Sequence, residues 1–158
     1  MNNRLLELKW AVLYTLFLLV WMIFERLMGW HDVLIEKHHL YTLLFYFPAI
    51  AIYFIALTDK RNNFYGGIIS YKNAFVSGLI LTAFITIFAA PAQYIISTYI
   101  TPDYFSNIQK YAVLSGKATL EEAQEFFSLK SYIIQSVAGS LFFGIVITSI
   151  VSLFVKRK

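Results

Sequence analysis

From Ser131 to Val155 the chain runs 25 residues without a charged side chain, and from Ala74 to Tyr99 it runs 26. A helix needs about 20 apolar residues, rising 1.5 Å each, to cross a ~30 Å hydrocarbon core. Two further apolar stretches, Trp10–Trp30 and Leu40–Leu57, reach or approach that length. Composition agrees: 59% of residues are hydrophobic and 14% are charged, with a mean hydropathy of +0.64. A soluble domain averages about 25% charged and about 45–50% apolar residues. The expected fold is all-α, a four-span transmembrane helical bundle forming one domain over residues 1–158. Its spans are expected at about 10–30, 40–57, 74–99 and 131–155, with the lipid bilayer as first partner.

Details of the spans follow from single residues. Trp10 and Trp30 are expected to mark the two interfaces of span 1. A cleavable signal is not expected, because the apolar run outlasts a ~7–15-residue h-region and ends in Glu25-Arg26-Leu27-Met28-Gly29-Trp30. Pro48 removes a backbone donor inside span 2 and predicts a bend there. Pro91 sits near the far end of span 3, which is long enough to tilt. Lys156-Arg157-Lys158 follows span 4 as a headgroup anchor.

An even number of spans puts both termini on one side. On that side fall Arg4, Lys9, Lys60, Arg61, Lys72, Lys156, Arg157 and Lys158 against Glu7 and Asp59, a balance of +6. The other side holds Arg26, Lys37, Lys110, Lys117 and Lys130 against Glu25, Asp32, Glu36, Asp103, Glu121, Glu122 and Glu125, a balance of −2. The positive-inside rule therefore predicts both termini in the cytoplasm. The net charge of +4 is too small and too divided to predict nucleic-acid binding.

Of the connections, 31–39 is short and 58–73 opens with the polar cluster Asp59-Lys60-Arg61-Asn62-Asn63 before Gly66-Gly67. The stretch 101–130 is the one substantial region outside the bilayer. Thr101, Pro102 and Asp103 predict a helix start. Tyr104, Ile108, Tyr111 and Ala112 recur at helical spacing, and Ser115-Gly116 ends the helix. Thr119 and Glu122 form a capping box for a second helix. The expectation is an extracytoplasmic helical hairpin lying on the membrane surface, because about 30 residues cannot bury a core alone.

Spans 3 and 4 each carry a ridge of small residues at every fourth position. Span 3 has Ala74, Gly78, Thr82, Thr86 and Ala90, and span 4 has Ser136, Ser140, Gly144, Thr148 and Ser152. Lipid tails are as apolar as Leu, so helices in a bilayer associate where small residues let backbones approach. The ridges predict an intramolecular pairing of spans 3 and 4 with a right-handed crossing. The alternative use of the span-4 ridge is a membrane-protein partner or a second copy of the chain.

Polar residues in and beside the spans are the candidate functional groups. Glu25 and Arg26 lie at the outer end of span 1, as an interfacial ion pair or as a proton or cation site centred on Glu25. His31, Asp32, Glu36, His38 and His39 cluster in the first connection. Imidazole and carboxylate suit zinc, so His31, His38 and His39 are the candidate ligands, but their spacing matches no metal motif and no metal is expected. Gln93 and Gln135 fall at similar depths, to bond each other or to line a small polar cavity with Tyr94 and Tyr99. Without Cys there is no disulfide, thiol nucleophile or Cys-based metal site. Ser115-Gly116-Lys117 fails as a phosphate loop at Tyr111 and Ala118. No catalytic constellation, cofactor-binding motif or cofactor is expected.

The run Ala56-Leu57-Thr58-Asp59-Lys60-Arg61-Asn62-Asn63, then Gly66-Gly67-Ile68-Ile69-Ser70-Tyr71-Lys72-Asn73-Ala74-Phe75 with Gly78, resembles the signature of a domain-of-unknown-function family. Its members are small four-helix bacterial membrane proteins. Tyr99-Ile100-Thr101-Pro102-Asp103-Tyr104 is similar to that family's outer-loop motif. The resemblance covers nearly the whole chain. It implies the four-span architecture and a bacterial inner-membrane location, and brings no activity. The leading expectation is a non-catalytic membrane interaction or accessory protein. The others are a small oligomeric transporter or channel-like subunit using Glu25, Gln93 and Gln135, and a lipid-acting enzyme using the histidines of the first connection.

Overall fold

A computed structural model describes residues 4–157. Lys158, counted above with the terminal anchor, lies outside the described residues. Helix α1 spans Leu5–Leu27. A 3-10 turn at Ile35–Lys37, α2 at His38–Tyr41, a second 3-10 turn at Thr42–Phe45 and α3 at Tyr46–Asn63 follow without a break. Helix α4 spans Tyr71–Ile95 and passes into a π-helical turn at Ile96–Ile100. Helices α5 (Tyr104–Leu114) and α6 (Leu120–Phe126) form the hairpin, and α7 spans Leu129–Val155. Four helical stretches are long and apolar enough to cross a membrane: Leu5–Leu27, Ile35–Asn63, Tyr71–Ile100 and Leu129–Val155. Large apolar side chains such as Leu16, Val20, Phe47, Ile87, Phe142 and Phe154 stand exposed along them. Such an outward surface suits lipid and not water, and it points to a multi-pass membrane protein.

The four long helices form a ring in which α4 packs on α7 and α1, and α3 closes it against α7 and α1. The α4–α7 seam is the most extensive, and the small residues explain why. A Cβ added to Gly78 would lie 2.4 Å from Thr148 Cγ2, and one added to Gly144 would lie 2.4 Å from Thr82 Cγ2. Each helix therefore sets a glycine against the other's threonine, and the backbones meet with only those side chains between them. Several hydroxyls pair across the seam, while Ser152 Oγ is buried with no hydrogen-bond partner among the described residues. Tyr53 Oη and Thr82 Oγ1 are 3.0 Å apart, Thr82 Oγ1 and Thr148 Oγ1 are 3.5 Å apart, and Ser140 Oγ donates to Thr86 Oγ1 at 3.2 Å.

The apolar core lies at the end of the ring that carries the termini. It gathers Ala11, Tyr53, Leu57, Ala74, Leu81, Ile85, Ile147, Val151 and Val155. Polar groups fasten the same end. Ile69 and Arg157 exchange backbone hydrogen bonds (3.2 and 2.9 Å), and Arg61 Nη1 donates to the Val155 carbonyl at 3.1 Å. A buried ion pair joins α1 to α3, with Glu7 Oε1 2.9 Å from Lys60 Nζ. Beside it Asp59 Oδ2 takes Trp10 Nε1 at 2.6 Å and Lys9 Nζ at 3.1 Å.

Several sequence expectations are corrected here. The polar cluster from Asp59 to Asn63 is the last turn of α3, not a loop, because α1 supplies partners for Asp59 and Lys60. Lys60 and Arg61 also sit favourably at a helix C-terminus. Pro48 does not lie mid-helix as expected: the 3-10 turn ends at Phe45, and Pro48 occupies the first turn of α3, where a missing N–H costs no intrahelical bond. Trp10 and Trp30 are not free interface markers, since Trp10 holds Asp59 and Trp30 is buried against Tyr41 with ring centroids 4.9 Å apart. Thr101 does not cap α5. Its N–H (2.7 Å) and Oγ1 (3.1 Å) both donate to the Ile96 carbonyl, which the π-helical turn leaves available. The Thr119–Glu122 capping box is present as expected.

The close glycine contacts give a graded expectation. Gly144→Ala meets Thr82 and the Tyr53 hydroxyl, which are hydrogen-bonded and cannot swing aside freely, so it destabilises the bundle by about 1–3 kcal/mol. Gly144→Leu abolishes the folded bundle. Gly139, whose added Cβ meets nothing within 4 Å, accepts Ala neutrally or gains up to about 1 kcal/mol of helix propensity. Equilibrium unfolding in mixed micelles ranks the three, and equal stability of Gly144→Ala and Gly139→Ala would refute the seam. At the ion pair, Lys60→Met leaves the Glu7 carboxylate buried without its cation and costs about 3–5 kcal/mol, most of which the double variant Glu7→Leu/Lys60→Met restores. The same unfolding assay reads both. A double variant no better than the single would show that the pair is not what Lys60 contributes.

Candidate functional site

At the opposite end of the ring the helices diverge. Glu25 lies in the last turn of α1 and has no exposed surface. An isolated carboxylate cannot be buried at reasonable cost, so its partners define the site. Trp21, one turn earlier, donates Nε1 to Glu25 Oε1 at 2.6 Å. The other oxygen, Oε2, faces two imidazoles: His31 Nε2 at 3.0 Å and His38 Nε2 at 3.4 Å.

Local geometry brings the histidines back to the helix they follow. Gly29 has φ +73°, a left-handed conformation that an L side chain seldom adopts. The chain turns there, with Trp30 N bonding the Glu25 carbonyl at 3.1 Å and Leu34 N the Gly29 carbonyl at 2.8 Å. His31 thereby falls beneath Glu25. The 3-10 turn and α2 then return the chain so that His38 stands beside His31, ring centroids 5.0 Å apart.

The hairpin closes over this pair. Tyr104, at the start of α5, packs on both rings at 5.3 and 5.1 Å. Its hydroxyl lies 3.3 Å from His38 Nδ1 and 3.0 Å from the Tyr132 hydroxyl. Asn107 donates to the His31 carbonyl at 3.1 Å. Burial, followed by the nearness of Tyr132 and Glu25, pushes the Tyr104 phenol well above the usual tyrosine range, so it keeps its proton. The face of α5 formed by Tyr104, Ile108 and Ala112 is thus buried against protein, and Gln109 ties the two hairpin arms by donating to the Phe127 carbonyl at 2.7 Å.

Below the histidines a cavity of about 1320 Å³ runs between the diverging helices. Its wall combines apolar side chains, such as Leu18, Met22, Phe45, Phe88 and Phe143, with the polar groups of His31, His38, His39, Tyr104, Glu122 and Lys117. The backbone N–H and then the hydroxyl of Thr119 hold Glu122 below the usual carboxylate range. The small residues Ser136, Gly139 and Ser140 line the cavity on the α7 side. The ridge of α7 therefore has two parts: toward the C-terminus it presses on α4, and toward the hairpin it leaves room.

The candidates named from the sequence separate accordingly. Glu25, His31 and His38 come together, while His39 stays outside the cluster on the cavity wall. Glu25 and Arg26 do not pair. Arg26 points away and donates to the Ile100 carbonyl at 2.7 Å. Gln93 and Gln135 both line the cavity but bond within their own helices, to Ser97 and Ser131, each at 2.9 Å. Tyr94 and Tyr99 meet edge to face and stand exposed, outside the cavity lining. Trp21 was not named from the sequence, and Tyr104 was named only as part of a helical stripe and of the outer-loop motif, not as a functional group. Trp21 was readable as the i−4 neighbour of a charge inside a span, whereas nothing in the local sequence ties Tyr104 to residues more than sixty positions earlier.

No curated protein and no solved structure matches the chain. The model of a family described as protein of unknown function (DUF4199) matches residues 9–157, from the first turns of α1 to the last residue bonded to Ile69, and the chain belongs to that family.

Proposed function

We propose that the protein is a binding protein of the bacterial inner membrane that holds an amphipathic molecule, polar group toward His31, His38 and Tyr104, apolar part between α1, α4 and α7. The observation that carries this reading is the cavity itself. At about 1320 Å³ it exceeds the ~300–1,000 Å³ of common small-ligand sites, and its wall combines apolar side chains with a group of polar ones. The α7 ridge supports the same reading. Its tightest residues, Gly144 and Thr148, are occupied within the bundle and are not presented to a protein partner. Gln93 and Gln135 on the wall also leave a route for a polar solute, which favours transport as the second reading.

Both termini are assigned to the cytoplasm and the hairpin to the opposite side. The supporting observation is the balance of +6 at the end of the termini against −2 at the other. The chain lacks Cys, so single introduced cysteines report without background. In spheroplasts, an impermeant maleimide labels Glu121→Cys at once and Asn62→Cys only after permeabilisation. The reverse pattern would invert the topology.

Binding is tested by filling the cavity. A side chain added at Gly139 enters open space, so Gly139→Phe keeps the wild-type melting temperature and weakens binding of a pyrene-labelled fatty acid at least tenfold. Mass spectrometry of the wild type, purified in mild detergent, finds a co-purifying amphiphile that the variant lacks. Full-affinity binding to Gly139→Phe would remove the cavity as the site.

A further inference from the structure

We propose that Glu25, His31 and His38 bind a single divalent transition-metal ion, zinc by the chemistry of its donors. This assignment stands apart from the amphiphile reading, because it rests on the side chains of the cluster and not on the cavity volume.

The distances come first. Zinc bonds imidazole nitrogen and carboxylate oxygen at about 2.0–2.1 Å, so two ligands on one tetrahedral ion sit roughly 3.3 Å apart. Glu25 Oε2 lies 3.0 Å from His31 Nε2 and 3.4 Å from His38 Nε2. One ligand atom from each of the three residues lies within 4.8 Å of the others. The three ligand atoms are thus close enough to share one ion.

Proton bookkeeping comes second. The Tyr104 hydroxyl lies 3.3 Å from His38 Nδ1 and 3.0 Å from the Tyr132 hydroxyl on its other side. With its O–H directed to Tyr132, it accepts the proton on His38 Nδ1. His38 Nε2 then carries a bare lone pair aimed at Glu25 Oε2, itself an acceptor. His38 Nε2 is buried and has no hydrogen-bond partner among the described residues. A cation between the two atoms turns their mutual repulsion into two ligand bonds. His31 offers Nε2 to the same ion, and its Nδ1 is buried with no hydrogen-bond partner among the described residues.

The surroundings complete the site. Trp21 occupies Glu25 Oε1, so the carboxylate presents one oxygen only. Tyr104 orients His38 from behind as outer-shell partners of metal-bound histidine do. Two imidazoles and a carboxylate suit zinc or its neighbours, whereas magnesium and calcium require oxygen donors. Both histidines form part of the cavity wall while Glu25 lies behind them. Three protein ligands leave a fourth position, and here it faces the cavity.

The test uses the full chain, purified without a histidine tag, stripped with chelator and dialysed against zinc. Elemental analysis finds one zinc per chain in the wild type and in His39→Gln, and less than a tenth of that in Glu25→Gln, His31→Gln and His38→Gln. Tyr104→Phe reaches full stoichiometry with affinity about 10–100-fold weaker. Should the ligand variants fail to fold, cobalt decides on the wild type alone. Cobalt bound at this site gives the intense visible bands of a tetrahedral complex, which one equivalent of zinc erases. Three results would overturn the proposal: no stoichiometric metal in the wild type, the pale spectrum of octahedral cobalt, or full uptake by Glu25→Gln and His38→Gln.

Discussion

The reciprocal contact between glycine and threonine on α4 and α7 is the constraint on which the rest of the bundle depends. In lipid, apolar side chains gain nothing by leaving a solvent that is already apolar, so packing and hydrogen bonds must hold helices together. Gly78 against Thr148 and Gly144 against Thr82 bring two backbones to near contact and orient hydroxyls that Tyr53 extends to α3. The core around Leu57, Leu81 and Val151 fills in beside that seam. The Glu7–Lys60 pair and the Ile69–Arg157 exchange then fasten the same end.

Rigid closure at one end permits divergence at the other. Past Gly144 the α7 ridge continues as Ser140, Gly139 and Ser136, small residues again, but here their lack of bulk opens volume. The same residue type thus serves close approach in one half of the helix and space in the other. Which outcome results depends on what α4 presents opposite: threonines low in the seam, and Phe88, Ala89 and Gln93 along the cavity. The hairpin covers this open end. Because Tyr104 and Asn107 bond the first connection, α5 behaves as part of the wall and not as a separate surface helix.

Much of the architecture was legible because it is local. Unbroken apolar runs, four-residue ridges and the Thr119–Glu122 box each announce themselves within one segment. Glu25 was legible as an anomaly, a charge within a span, but its partners were not. Proximity in sequence favoured Arg26, whose side chain leaves α1 toward Ile100. His31 and His38 reach Glu25 only because Gly29 reverses the chain and α2 returns it. The helical extension through Asp59 and Lys60 was hidden for a related reason. A polar cluster reads as loop until the acid and tryptophan that pair with it, Glu7 and Trp10, are known to lie alongside.

The two buried carboxylates of α1 show why composition alone could not sort structure from site. Glu7 and Glu25 lie on one helix, each fully or almost fully buried. Glu7 meets an ammonium on α3, and the charges cancel in a contact that also ties two helices. Glu25 meets groups without a permanent charge: two imidazoles, an indole N–H and, one bond further out, two phenols. A lysine partner fixes a carboxylate as an anion. Histidines leave the occupant of the space between them open to a proton or a cation. Burial without a permanent counter-charge has a standing electrostatic cost, and a structure that needed only stability would have met it as α1 does at Glu7. That the chain instead places its adaptable donors at the wall of a cavity of about 1320 Å³ is the reason to look for function at this end of the bundle.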